Sequence, residues 1–295
     1  MRKLVVRAIA VIAGLFAGYF AGQAAAAEPP MWVIEDSDSK VVLYPTIHFL
    51  PADLEWRSAA LDAELAAADE VWFELPQTPD AQQTVQAVVA QHGIDPNNPL
   101  SSVLPEATYA RLTATAETMG IPMAQIETMK PWLATLMIVS VELMRAGFDP
   151  NAGVEARLAG SIDAERQRAL ETADGQVRAL ADLPTDVQVR FLESALDEID
   201  EGTDRLRDIA NDWANGNVES MEAEIIDEMK DAYPEVYEAL FVRRNQNWSD
   251  QIVAELEGSG TDFIAVGAGH LVGEDSVPAM LKARGYDVRM LAPAQ

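Results

Sequence analysis

Hydrophobic and polar positions divide the chain into three stretches of different period. Trp32-Val33-Ile34-Glu35 and Lys40-Val41-Val42-Leu43-Tyr44 are short apolar runs separated by Asp36-Ser37-Asp38-Ser39, a composition that predicts a β-hairpin. Downstream, Asp53 is the expected N-cap of an alanine-rich helix from Ala59 to Ala68, where Leu61 and Leu65 repeat at i, i+4. Val71-Trp72-Phe73-Glu74-Leu75 then reads as a buried strand. From Asp80 to about Trp248 the period is helical, punctuated at Gly93, Asn97-Asn98-Pro99, Gly120-Ile121-Pro122, Gly147-Phe148-Asp149-Pro150, Pro184 and Gly216. One short interruption, Arg168 to Thr172, suits a strand that ends at an acid, Glu171.

The C-terminal stretch restores the first pattern. Asp262-Phe263-Ile264-Ala265-Val266 predicts a strand, Gly267-Ala268-Gly269-His270 a turn, Ser276 to Arg284 a helix, with Asp275 and Ser276 as N-cap residues, and Tyr286 to Leu291 a last strand. The order strand, turn ending in His, helix, strand therefore occurs at both ends. The expected fold class is α/β: a central sheet built from N- and C-terminal strand-turn-His-helix-strand units, with a large helical insertion over about residues 80–250. No Gly/Ser-rich or Pro-rich linker divides the chain into independent domains, so residues 28–295 read as one domain.

Residues 1–27 follow a different logic. Arg2, Lys3 and Arg7 precede an apolar run from Ala8 to Gly22, and Gln23-Ala24-Ala25-Ala26-Ala27 offers an Ala-x-Ala cleavage site. The apolar run is about 15 residues, short of the roughly 20 that a spanning helix needs. A cleaved signal peptide is expected, with a periplasmic or secreted product and no stable membrane anchor. The 295-residue chain contains no cysteine, so any metal must be held by His, Asp or Glu. With 21 Lys+Arg against 48 Asp+Glu, the formal charge is −27, which disfavours nucleic acid and anionic lipid as partners. Nothing in the sequence specifies an oligomeric state.

The chain has three histidines, and two of them, His48 and His270, follow apolar strands by three-residue turns. Ligands and catalysis in α/β sheets gather outside the carboxyl ends of strands. Two imidazoles from such ends and one carboxylate make a metal site with open positions for water or substrate, and Glu74 is the natural third ligand. His92, in the last turn of a helix before Gly93, is given no functional role. No G-x-S-x-G, P-loop, G-x-G-x-x-G after a strand, H-E-x-x-H or cysteine nucleophile is present.

The segments "TIHFLP", "WRSAALDAELAAADEVWFEL", "KPWLATLMI", "GFDPNAGVEARL", "LETADGQVRALADLP", "RRNQNW" and "VGAGHLVGEDSVPAMLKARGYDVRML" together resemble the TraB/GumN family, which includes the TIKI proteins and is related to erythromycin-esterase-like and ChaN-like folds. The resemblance implies a metal-dependent hydrolase centre. TIKI members are described as Mn- or Co-dependent proteases, so Mn or Co is the expected cofactor, with Zn or Fe as further options, and a peptide or small molecule the expected substrate. Carried over, the first G-x-x-H falls on Pro45-Thr46-Ile47-His48, the strand-end acid on Glu74, the "LET" acid on Glu171, the Arg-Asn pair on Arg244-Asn245, and the second G-x-x-H on Gly267 to His270. His48, Glu74 and His270 are then the expected metal ligands, Glu171 the general base and Arg244 an oxyanion or carboxylate clamp, with Asn245 beside it. The first glycine is here Pro45, whose missing N–H would alter any backbone contact made at that turn. The alternative is a non-catalytic ligand- or metal-binding envelope protein that retains the fold.

Overall fold

The computed structural model describes residues 28–202 and 204–291; the expected signal peptide lies outside the described residues. Eight strands are present among these residues: β1 (Met31–Glu35), β2 (Ser39–Thr46), β3 (Leu50–Pro51), β4 (Glu70–Phe73), β5 (Phe148–Asp149), β6 (Gln167–Ala169), β7 (Gly260–Gly267) and β8 (Val288–Leu291). Six of them form one mixed sheet in the order β6-β4-β7-β2-β1-β8, while β3 and β5 form a small antiparallel ribbon. The hairpin is as expected, with Asp36 Oδ1 accepting from the amides of Asp38 and Ser39 at its turn. Among the described residues no helix is long and apolar enough to cross a membrane.

The two chain ends meet in the middle of the sheet. Strand β7 lies between β2 and β4, parallel to both, and runs in register with β2 from Ser39 opposite Gly260 to Thr46 opposite Gly267. Nearly all of β2 and the second half of β7 are buried. That burial explains why both read as continuous apolar runs rather than as alternating ones. Between β4 and β7 the chain is helical apart from the short strands β5 and β6.

The helices used below are α1 (Ala59–Ala67), α2 (Pro79–Gly93), α3 (Pro131–Arg145), α4 (Val154–Ala159), α5 (Ala173–Ala181), α6 (Arg243–Leu256) and α7 (Val277–Ala283). Helix α1 is capped by Ser58, whose hydroxyl accepts from Leu61 N at 3.1 Å. Asp53, the residue expected there, instead pairs with Arg207 at the surface. Ser276 caps α7 as expected, accepting from Ala279 N. Asp275 does not share that work, since its carboxylate receives Lys230 Nζ and Tyr237 Oη.

Pro45 sits differently from the expected turn. Strand β2 continues through Thr46, so Pro45 is a strand residue paired with Val266 of β7. A proline is tolerated in a strand where its missing N–H faces no neighbour. The pairing of β1 with β2 ends at Trp32 opposite Leu43, before Pro45 is reached. The Pro45 carbonyl accepts from Trp213 Nε1 at 3.2 Å. A strand residue presents its N–H and C=O to the same side, so the missing hydrogen faces the Trp213 side and not the β7 ladder.

Candidate active site

Four neighbouring parallel strands each deliver one ionisable side chain at the carboxyl end: β6 leads to Glu171, β4 to Glu74, β7 to His270 and β2 to His48. Backbone bonds carry the ladder past the strand ends, Leu170 N to Phe73 O at 2.9 Å and Glu171 N to Glu74 O at 3.1 Å. The two acids are therefore held side by side.

Arg244, in the first turn of α6, fills the space between them. Its Nη2 donates to Glu74 Oε2 at 2.6 Å and to Glu171 Oε1, its Nε bridges both Glu171 oxygens at 3.0 and 3.2 Å, and its Nη1 donates to Leu240 O at 3.0 Å and His270 Nε2 at 3.1 Å. A guanidinium has five N–H donors, and all five are committed. Arg244 in this arrangement has no hydrogen to offer a substrate. The π-helical segment Glu238–Val242 leads directly into this turn, and its Phe241 lies against Gly269, where an added Cβ would stand 2.6 Å from the Phe241 ring. Glycine at 269 thus lets the His270 turn close onto that helix.

The two imidazoles have different surroundings. His270 Nδ1 lies 2.6 Å from Asn245 Oδ1, and the Asn245 amide nitrogen donates to Asp275 O at 2.8 Å. This orientation makes the Asn245 oxygen the acceptor, so His270 carries its hydrogen on Nδ1 and presents the Nε2 lone pair to Arg244. The ring is 2 % exposed and is flanked by Trp248 and Phe241, with centroids 4.3 and 5.0 Å away. Burial, and then the Arg244 charge, hold its pKa well below the usual imidazole value. His270 is a neutral, sealed group.

His48 retains an opening to solvent, with 12 % of its side chain exposed, and its Nδ1 lies 2.9 Å from Glu155 Oε1. Thr46 Oγ1 donates to the same oxygen. Burial favours the neutral ring, but the Glu155 carboxylate, with a further contribution from Glu74, outweighs it and raises the His48 pKa. Burial likewise works against the Glu155 charge, and His48 and Thr46 reverse that, so its pKa is lowered. Glu74 behaves similarly: burial would raise its pKa, yet Arg244, the histidines and the Gly267 amide at 2.8 Å lower it. For Glu171 burial prevails over Arg244, and its pKa is raised.

Glu155 is the participant that the sequence reading missed. It enters through close backbone contact: Val154 N donates to Ile47 O at 3.1 Å, and a Cβ on Gly153 would stand 2.1 Å from the His48 carbonyl oxygen. Only glycine allows the start of α4 to press against the His48 loop. The signal available in the sequence was this glycine, two residues before an acid in the quoted segment "GFDPNAGVEARL". Gly153→Ala is expected to cost about 1–3 kcal/mol, as overpacking does in close-packed interiors, and to move the His48 pKa toward its ordinary value as Glu155 is pushed away. Urea unfolding and an NMR titration of the ring check both; an unchanged His48 pKa would show that the contact does not set the dyad.

The same geometry bears on a metal ion. The His270 Nε2 lone pair receives Arg244, Glu74 Oε2 receives Arg244 and Gln176, and Glu74 Oε1 receives Gly267 N. Among the described residues no group of three His, Asp or Glu side chains is placed to hold an ion. As arranged, these donors fit the guanidinium they surround and not a metal. Of the expected site residues, Glu74, Glu171, Arg244, Asn245 and His270 are joined by direct hydrogen bonds, and His48 stands beside them, close enough for its pKa to respond to Glu74 and Arg244. His92 instead contacts Asp174, at 2.9 Å.

A sheet with four neighbouring parallel strands that end in such a cluster defines an α/β protein with a buried polar centre at the usual position for ligand chemistry. The chain belongs to the TraB/PrgY/gumN family, whose profile matches residues 30–290. It is similar to the uncharacterized protein YbaP of Escherichia coli (strain K12), with 23 % identity over 185 residues, which covers 62 % of this chain and 68 % of that protein. The YbaP protein of Shigella flexneri matches to the same extent. No solved structure matches.

Proposed function

We propose that the chain is a hydrolase of an ester or amide carbonyl, on a peptide or small-molecule substrate, in which His48 is the base that activates water. The observation that supports this reading is the His48–Glu155 pair at a strand end, the one imidazole of the cluster with access to solvent. Glu155 holds the hydrogen on Nδ1, so Nε2 is the nitrogen that takes a proton from water as the water oxygen adds to the carbonyl carbon. The imidazolium then returns that proton to the leaving oxygen or nitrogen as its bond to the carbonyl carbon breaks. Arg244 and Glu171 act as positioning residues in this reading, rather than as clamp and base, and Asn245 fixes the His270 tautomer. The leader pattern of residues 1–27 supports placing the activity in the periplasm or outside the cell.

Two other readings have distinct signatures. Metal dependence, with Mn or Co on His48, Glu74 and His270, rests on the family resemblance and requires Arg244 to leave the His270 Nε2 lone pair. A non-catalytic binding protein is favoured by the complete commitment of the Arg244 donors. A panel of p-nitrophenyl esters and peptide anilides, assayed with the mature protein before and after chelator treatment, separates the three. We expect turnover that survives the chelator, with a thermal midpoint unchanged by added Mn. Activity and thermal midpoint that both fall with the chelator and return with Mn would establish the metal reading. Absence of turnover on the whole panel would favour the binding protein.

A further inference from the structure

A cavity of about 380 Å³ adjoins this cluster, within the range of small-molecule sites. Three helices wall it with largely apolar side chains at helical spacing: Leu136 and Met144 with Ser140 between them from α3, Val85 and Val89 from α2, and Val177 and Leu180 from α5. Its lining includes three glutamines, Gln77, Gln82 and Gln176, but no charged side chain among the described residues. Two parts of the wall adjoin the cluster. Gln176 Nε2 donates to Glu74 Oε2 at 2.9 Å, and Phe49 is the residue after His48.

We infer that this cavity is the substrate-side subsite of the centre, receiving one uncharged hydrocarbon group, an acyl chain or an apolar side chain, attached to the carbonyl that His48 and Glu155 address. The inference rests on the hydrolase reading for the reacting bond, but the cavity's preference for hydrocarbon can be measured without it. A group anchored there meets, at the Gln176 end of the cavity, the side chain that donates to Glu74, while Phe49 and Leu75 of the wall directly follow His48 and Glu74 in the chain. An ionised group would lose its hydration here with no opposite charge in the wall to meet it, and the formal charge of −27 adds a long-range penalty for anions.

The test uses two series on the mature protein. Neutral primary amides from butanamide to octanamide, titrated calorimetrically, should bind about fourfold more tightly per added CH2. In the second series, kcat/KM for p-nitrophenyl esters should rise with acyl length from acetate to octanoate, and leucine and phenylalanine p-nitroanilides show whether a peptide side chain fills the same space. Ser140→Trp and, separately, Val85→Trp fill the cavity and should abolish the dependence on chain length in both series, with folding checked by thermal melts. Amide affinities that do not change with length, or that survive both substitutions in folded protein, would overturn the inference. Length-dependent amide binding without hydrolysis of any ester or anilide would uphold the cavity and reject the hydrolase reading. Ester turnover with no length dependence in either series would do the reverse.

Discussion

Replacing Arg244 by methionine is expected to cost about 3–5 kcal/mol, the range for removing one partner of a buried ion pair. The cation leaves two carboxyl groups behind, Glu74 and Glu171, which are 8 % and 13 % exposed and both depend on it. The cost should vary with pH in a defined direction. In the native protein the Glu74 pKa is lowered, so its contribution is present above the ordinary carboxylate value and is lost as pH falls through the folded-state pKa. In the variant burial acts unopposed and raises the pKa. The penalty should then be full at high pH, start to fall as pH passes the raised value of the variant, and be lost only below the lowered native value. Urea unfolding at pH 7.5 and pH 5 measures the difference. Adding Glu74→Gln and Glu171→Gln should recover much of the loss, because neutral amides need no counter-ion. A cost that is small and independent of pH would mean that the cluster is solvated and that Arg244 is not its counter-ion.

His48→Ala should lower kcat by roughly 10²- to 10⁴-fold on whichever ester or anilide is turned over, the usual contribution of a positioned base. Its effect on the pH profile is the more specific expectation. A base works when unprotonated, so kcat/KM should rise with pH through the His48 pKa, which Glu155 holds above the ordinary value of 6.5. Glu155→Gln removes the raising charge and leaves burial, so the rising limb should move to lower pH while the maximal rate falls. NMR titration of the His48 ring reads the same shift without a substrate. The linked stability effect has the opposite sense to that of Glu74. A raised histidine pKa contributes stability that is full below 6.5 and is lost as pH rises through the folded-state value. A rising limb that ignores Glu155→Gln would remove His48 from the role of base.

The strand-end logic was legible because it depends on local sequence. Apolar runs that end in His48, Glu74, Glu171 and His270 announce where four strands stop, and parallel pairing of the two chain ends brings those stops together. Other features arise only in three dimensions. Glu155 looks like an acid placed to suit a helix N-terminus, and only Gly153, two residues before it, hints at the close backbone approach that sets it against the end of β2. Arg244 occupies a polar stretch, Arg243-Arg244-Asn245-Gln246-Asn247, of which Arg244 and Asn245 are buried and Arg243 is not. Pro45 follows the local rule for a turn, yet the end of β1 leaves it a tolerated place within a strand. Asp53 and Ser58 are both plausible caps by composition, and only the position of Leu61 N decides between them.

The pairing of β2 with β7 has a consequence for folding kinetics. Thr46 and Gly267 are adjacent in the sheet but lie at opposite ends of the chain, and the loop between them must close before either histidine meets its neighbours. Loop-closure entropy grows slowly with length, but non-local parallel pairing still slows folding. The helices between β4 and β7 can form from local contacts first. His48, Glu155, Glu74, Arg244 and His270 acquire their shared environment only when β7 has joined the sheet. A nascent or truncated chain that ends before β7 therefore lacks His270 and the contacts it makes with Arg244 and Asn245, and burial of the His270 ring during refolding would mark the final step of assembly.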